Sequence, residues 1–289
     1  MLPAELARQI RLLEIRTDHL VEEIAGGAYR SVFKGHGIEF DEVREYTTDD
    51  DVREIDWNVS ARMGTPYVKK FVEERELVVM LAVDLSASGD FGAAAKSKRR
   101  TAAELAALLA FSAGKNGDKV GLLLFTDRVE LYLPPRSGRR HALRMIRELL
   151  AFEPAGRGTD IDGALRETAR LMKKRGVVFL LSDLIDPEKF ADSLRLLSAR
   201  QDVIALELRD PTEVAFPLSC PVTVEDAETG ELVEFTGGRA AADAALLAAE
   251  TAKSEVCRRA EVDRIPVMCS DDVLKPLIAF FAERKRRMR

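Results

Sequence analysis

The stretch that most constrains the fold runs from Leu77 to Gly92, where seven apolar residues lead directly into Asp84, Ser86 and Ser88. A short continuous apolar run that ends in turn residues is typical of a strand buried on both faces of a parallel sheet. Open α/β sheets bind ligands at the carboxyl ends of such strands. Oxygens from one aspartate and two serines suit a hard cation such as Mg²⁺. The same residues would also serve to cap a following helix, so the motif alone leaves both interpretations open.

Buried-strand patterns alternate with helical patterns along most of the remaining chain. Strands are predicted at 119–125, 129–133, 177–183, 203–208 and 265–269, and helices at 96–113, 138–151, 187–199, 239–263 and 271–287. A further helix is predicted to begin at the loop 156–162 and to end at Lys174. Pro134-Pro135 is expected to end the second of these strands. This alternation predicts an α/β fold with a doubly wound, mainly parallel sheet and helices on both faces.

The N-terminal quarter has a different pattern. A helix is predicted over 3–24, and the charged, glycine-punctuated stretch that follows suggests short strands, including Val32-Phe33 and residues 66–72. Residues 1–76 are therefore expected to form an N-terminal helix and a smaller β-rich accessory region, and residues 77–289 the main domain. A hairpin insertion at 210–238 is expected to join the accessory sheet.

Four residues of this accessory region are candidates for partner binding. Trp57, the single tryptophan, is interpreted first as a buried anchor and second as a partner contact. Arg44, Arg53 and Arg62 lie among acidic residues, which favours ion pairs within the accessory sheet over a partner contact.

Composition sets bounds on function. The hydrophobic and charged fractions, 46% and 32%, are typical of a soluble globular protein, and the net charge of −5 argues against general nucleic-acid binding. Cys220, Cys257 and Cys269 show no CxxC spacing, which fits a reducing compartment. No apolar stretch reaches the length of a membrane span, and the first residues carry no signal-peptide pattern. We therefore expect a cytoplasmic protein.

Three loops carry oxygen ligands that the predicted fold would bring to one edge of the sheet. They supply Asp84, Ser86 and Ser88; Thr159, from the loop 156–162; and Asp183, at the end of the strand 177–183. Hydroxyls can bind a divalent cation directly while carboxylates hold its waters, and Mg²⁺, Mn²⁺ and Ca²⁺ all accept such ligands. Asp160 and Asp162 lie in the first turn of a predicted helix, so they are expected to be structural.

Two groups of residues in the chain resemble motifs of known protein families. Asp84-Leu85-Ser86-Ala87-Ser88, with Thr159 and Asp183, looks like the metal-ion-dependent adhesion site (MIDAS) of von Willebrand factor A domains. A longer signature is similar to the domain-of-unknown-function-58 (DUF58) family. Its segments include Gly35-His36-Gly37-Ile38-Glu39-Phe40, Val43-Arg44-Glu45-Tyr46, Ile55-Asp56-Trp57 and Asp210-Pro211-Thr212-Glu213. The resemblance implies a von Willebrand factor A-like domain, a metal site at these five residues, and a MoxR-type AAA+ ATPase as partner.

Two positions depart from the family pattern. Gly89 stands where Met is common after the second serine, and Thr48-Asp49 replaces the usual Pro-Gly. Neither change removes a proposed ligand. Many relatives also carry N-terminal membrane helices, for which this sequence shows no pattern.

Three functions fit these residues. The first is a binding module without catalytic residues, in which a Mg²⁺ ion grips an acidic side chain of a partner. The chain has no Gly-x-x-x-x-Gly-Lys-Ser/Thr motif, so ATP-driven work would fall to the partner. The second is a Mg²⁺-dependent hydrolase, a phosphatase or nuclease, that uses Asp84 and Asp183. The third is a structural protein in which the same oxygens bond loops without a functional metal.

Overall fold

The computed structural model describes residues 8, 11–12, 38–47, 50–73, 77–90, 96–214, 222–225, 228–235, 239–269 and 272–287. The strands β1 to β10 are Ile38–Glu45, Tyr67–Glu73, Val78–Asp84, Lys119–Phe125, Val129–Arg136, Val177–Ser182, Asp202–Arg209, Val222–Glu225, Leu232–Phe235 and Asp263–Met268. The helices α1 to α8 are Trp57–Met63, Lys98–Lys115, Arg139–Ala151, Ile161–Leu171, Ala191–Ser198, Pro211–Val214, Arg239–Arg259 and Leu274–Arg287. Within these ranges no helix is long and apolar enough to cross a membrane.

Two predictions fall largely outside these ranges. Of the helix expected over 3–24, residues 8, 11 and 12 are described, and they are helical. The strand expected at Val32-Phe33 and the cysteine Cys220 lie outside the described residues.

The main domain is built on a six-stranded sheet in the order β10-β7-β6-β3-β4-β5. Every neighbouring pair is parallel except β4 and β5. Side chains of β3 alternate between the two faces: Val79, Leu81 and Val83 enter one buried cluster, with residues of α2, α3 and α8. Met80 and Ala82 enter the other, with residues of α4, α5 and α7. The predicted doubly wound, mainly parallel α/β fold is confirmed.

Both edge strands of this sheet contain proline. β5 continues through Pro134 and Pro135 to pair Arg136 with Val120, so the prediction that this proline pair ends the strand is wrong. An edge strand tolerates proline because part of its backbone has no neighbour to bond. At the opposite edge, β10 contains Pro266.

The accessory strands form two separate sheets. β1 pairs antiparallel with β2, and β8 pairs antiparallel with β9. In the described residues the hairpin of β8 and β9 is therefore a two-stranded sheet of its own, rather than part of the β1–β2 sheet as predicted. A short turn joins β8 to β9, and such a turn favours pairing between sequence neighbours.

The strand order places β3 and β6 at a switch point of the sheet. The chain leaves β3 through α2 toward β4 on one side, and leaves β6 through α5 toward β7 on the other. Crossovers that diverge from adjacent strands leave a crevice at their carboxyl ends. The register pairs Val83 with Leu181, so Asp84 and Ser182 follow side by side at this edge.

Candidate functional site

Asp84 is fixed at both carboxylate oxygens. The backbone N–H of Ser86 donates to Asp84 Oδ1 at 2.9 Å, and Ser182 Oγ donates to Asp84 Oδ2 at 2.7 Å. The side chain is buried, with 7% of its surface exposed. Because β3 and β6 run in register, the hydroxyl of one strand reaches the carboxylate of the next.

The two motif serines connect this loop to Asp183. Residues Ala87–Asp90 form a 3₁₀ turn, and Ser86 Oγ lies 3.0 Å from Ser88 Oγ. Ser88 Oγ then donates to Asp183 Oδ2 at 2.9 Å. The structure thus brings four of the five predicted ligands, Asp84, Ser86, Ser88 and Asp183, into one hydrogen-bonded group.

Lys98 is part of the same group, although nothing in the sequence motif indicated it. Its side chain is buried in the first turn of α2, and Nζ lies 3.0 Å from Asp183 Oδ2. The same ammonium forms an ion pair with Glu213 of α6. Burial alone would lower the pKa of Lys98, but the charges of Asp183 and Glu213 outweigh it and raise the pKa above its usual value. Lys98 therefore keeps its positive charge beside Asp183.

The site is nevertheless short of positive charge. Burial raises the pKa of Asp84 to about 6, and the neighbouring charge of Asp183 adds to the effect. Asp183 Oδ1 is buried and accepts no hydrogen bond from the part of the chain that the structure describes. A buried carboxylate oxygen without a donor is costly unless a cation or water meets it. Two carboxylates, one of which carries this oxygen, and three hydroxyls fit a hard divalent cation.

Thr159 approaches from a third loop, which follows helix α3. Two backbone hydrogen bonds dock this loop: Ala87 N–H donates to Arg157 O at 2.9 Å, and Asp160 N–H donates to Thr126 O at 2.8 Å. Thr159 and Ser88 line one cavity of about 410 Å³. The hydroxyl of Thr159 donates to Glu228 Oε1 at 2.5 Å.

The two aspartates beside Thr159 have the structural roles expected of them. Asp160 caps α4 by accepting from the N–H of Gly163 at 2.9 Å. Asp162, in the first turn of α4, forms an ion pair with Arg166.

The backbone after Asp183 is held in an unusual conformation. Leu184 and Asp186 have φ of 55° and 52°, in the left-handed region that a leucine rarely adopts. Lys253 of α7 donates to the carbonyl oxygen of Asp183 at 2.6 Å and to Glu207 Oε1 at 2.8 Å. A helix packed on one face of the sheet thus fixes the loop that carries Asp183.

The four residues predicted for partner binding belong to β1, α1 and the 3₁₀ turn Val52–Glu54, and not to the loops of this group. Trp57 is 68% exposed, so its interpretation as a buried anchor is wrong. Arg44 pairs with Asp50, as the ion-pair interpretation expected. Arg53 and Arg62 are exposed. Two of the nearby acids act as helix caps: Asp51 accepts from Arg53 N–H, and Asp56 from the N–H groups of Asn58 and Val59.

The chain is similar to known proteins over most of its length. The model of a family described as "Protein of unknown function DUF58" matches residues 42–256. An uncharacterized protein of Mycobacterium tuberculosis is 33% identical over 287 residues, which cover 98% of this chain and 90% of the relative.

Two solved structures are more distant. BatB, a conserved hypothetical protein from Bacteroides thetaiotaomicron, gives a TM-score of 0.49 at 18% identity, over 73% of this chain and 99% of its own. A von Willebrand factor type A structure from Catenulispora acidiphila gives 0.38 at 12% identity, over 77% of this chain and 43% of its own. At these scores, the fold assignment rests on the strand order of the chain itself.

Proposed function

This chain belongs to the DUF58 family of proteins of unknown function, and we propose that it is a metal-dependent protein-binding module that works with a MoxR-type AAA+ ATPase. One observation carries the proposal. The chain of contacts through Ser86, Ser88 and Asp183 ends at a buried carboxylate oxygen, Asp183 Oδ1, for which the described residues provide no donor. The side chains that would hold a Mg²⁺ ion are Asp84, Ser86, Ser88, Thr159 and Asp183.

A divalent cation at these residues would supply a positive charge that a carboxylate of another protein can bind. The chain's own residues prepare for this contact. Lys98 compensates part of the negative charge of Asp183, so the site can hold two carboxylates close together. Ser182 and the backbone of Ser86 fix the orientation of Asp84.

Binding is favoured over hydrolysis by the same contacts. Asp84 accepts two hydrogen bonds and Asp183 Oδ2 accepts from both Ser88 and Lys98, which suits ligands held in place better than a nucleophile. A Mg²⁺-dependent phosphatase or nuclease remains the alternative. Phosphatase or phosphodiesterase turnover that Asp183→Ala abolishes would overturn the binding function.

The metal site is tested by titrating Mg²⁺ and Mn²⁺ while the melting temperature is followed. At ten times its Kd, a cation that binds only the folded state should stabilise the wild type by about 1.4 kcal/mol. We expect Asp84→Asn to remove this shift. Asp186→Asn is the matched control, because Asp186 lines the same cavity and pairs with Lys189 at the surface. The metal site is refuted if the melting temperature of the wild type does not respond to the cations. It is also refuted if Asp84→Asn responds as the wild type does.

The partner surface is tested with Trp57→Ala and a purified MoxR-type AAA+ ATPase. Because Trp57 is largely exposed, the change should alter the free energy of unfolding by less than about 0.5 kcal/mol. Loss of an exposed aromatic anchor should weaken binding about tenfold. Leu196→Ala, which removes another exposed apolar side chain on α5, is the control. If both variants bind the ATPase with the same affinity as the wild type, Trp57 is excluded as a partner contact.

The proposal places the protein in the cytoplasm. Cys257 and Cys269 are buried free thiols, and burial raises the pKa of both. Unpaired buried thiols suit a reducing compartment.

A further inference from the structure

The hairpin of β8 and β9 brings a carboxylate to the candidate site. Glu228 lies in the turn between the two strands, and its Oε1 accepts the hydrogen bond from Thr159 Oγ1 at 2.5 Å. Glu228 also lines the cavity that Ser88 and Thr159 share. Thr159 is the one proposed metal ligand that comes from the third loop. Glu228 therefore bonds directly to a side chain that would hold the cation.

The cavity that Glu228 enters is lined mainly by acidic side chains, which disfavour a further carboxylate. Among the residues that the structure describes, five other acidic side chains line it: Asp160, Asp162, Asp186, Glu213 and Glu225. Lys189 is the one basic residue among the described residues of its lining, and its charge interacts with both Asp186 and Glu228. Like charges this close repel one another, so a sixth carboxylate is expected where a cation compensates it.

One face of the hairpin is exposed to solvent. Thr223 and Glu225 on β8, and Leu232 and Glu234 on β9, are all exposed, with Leu232 at 72%. Among the described residues, β8 and β9 pair with each other and with no strand of the six-stranded sheet. The hairpin can therefore leave the cavity without breaking a strand pair of that sheet.

We propose that Glu228 is an internal occupant of the candidate site, held at Thr159 where the acidic side chain of a partner would bind. The inference rests on the proposed function and deepens it in two ways. First, the partner is expected to present its carboxylate from a turn on a long side chain, as this chain presents Glu228. Second, partner binding is a competition, because the β8–β9 hairpin must withdraw before another carboxylate can enter.

The test uses Mn²⁺ as the probe in wild type, Glu228→Gln and Glu231→Gln. Glu231 is the matched control because it is an exposed glutamate on the same turn. Water-proton relaxation by bound Mn²⁺ counts the exchangeable waters on the ion. We expect Glu228→Gln to give the higher relaxation, and wild type and Glu231→Gln to agree with each other.

Acetate then serves as a free carboxylate. An internal competitor acts at an effective concentration in the millimolar range, so acetate should lower the relaxation of Glu228→Gln at about tenfold lower concentration than in wild type. Independently of any metal, backbone amides of 222–235 should exchange hydrogen several-fold faster in Glu228→Gln, because the tether to Thr159 is weakened.

The outcomes separate the two proposals. If all three proteins bind Mn²⁺ with the same relaxation and the same acetate response, the internal occupant is refuted and the metal site stands. If none of them binds Mn²⁺, the proposed function fails and the inference falls with it. Unchanged hydrogen exchange in Glu228→Gln would overturn the tether whatever the metal result.

Discussion

Replacing Lys98 by methionine is expected to lower the free energy of unfolding by about 3–5 kcal/mol, the usual cost of removing one partner of a buried ion pair. The Lys98 side chain is 3% exposed, and its ammonium contacts both Asp183 and Glu213. Methionine fills a similar volume, so the loss would come from charge and not from a cavity. Urea unfolding measures the change.

Two further variants make this result interpretable. Lys189→Met removes a surface lysine paired with Asp186, and it should leave the free energy of unfolding close to that of the wild type. Combining Lys98→Met with Asp183→Asn should recover much of the lost stability, because the uncompensated charge is removed as well. A loss below about 1 kcal/mol in Lys98→Met would show that Asp183 is compensated by something other than Lys98.

Gly176→Ala is expected to destabilise the protein by about 3 kcal/mol, at the upper end of the usual cost of overpacking. Gly176 lies just before β6, and a methyl group there would overlap the backbone carbonyl oxygen of Val78 on β3. The backbone cannot shift easily, because Gly176 N–H donates to Gln201 Oε1 at 2.7 Å and Gly176 O accepts from Asp202 N–H at 2.9 Å. The methyl group would force β3 and β6 apart, at the opposite end from Asp84.

Gly114→Ala is the matched control in the same chain. Gly114 is exposed near the end of α2, and a methyl group there would meet no atom of another residue within 4 Å. Alanine favours helix over glycine, so this change should stabilise the protein by about 0.5 kcal/mol. Effects of the same sign and size in the two variants would show that β3 and β6 do not approach as described.

The sheet could be predicted from the sequence because its strands carry strong local signals. Val79 to Val83 are all apolar since both faces of β3 are covered, and the same holds for β4 and β6. The extent of β5 could not be predicted from Pro134 and Pro135. Proline ends a central strand but is tolerated at an edge, and edge position depends on the order of the whole sheet.

The candidate site was predictable where its residues follow strands. Asp84 is the last residue of β3 and Asp183 directly follows β6, so the fold alone brings them together. Lys98 and Glu228 gave no comparable signal, because their contacts join segments far apart in the chain. One hint was available for Lys98: a cation in the first turn of a helix opposes the helix dipole, and a buried carboxylate partner would explain it.

Pro266 in β10 and the proline pair in β5 have a consequence for how a partner can attach. Many recognition domains accept an extended peptide as an additional strand along an open sheet edge. Proline lacks the N–H that such pairing needs, and here both outer strands of the six-stranded sheet carry it. Strand addition to this sheet is therefore disfavoured on either side.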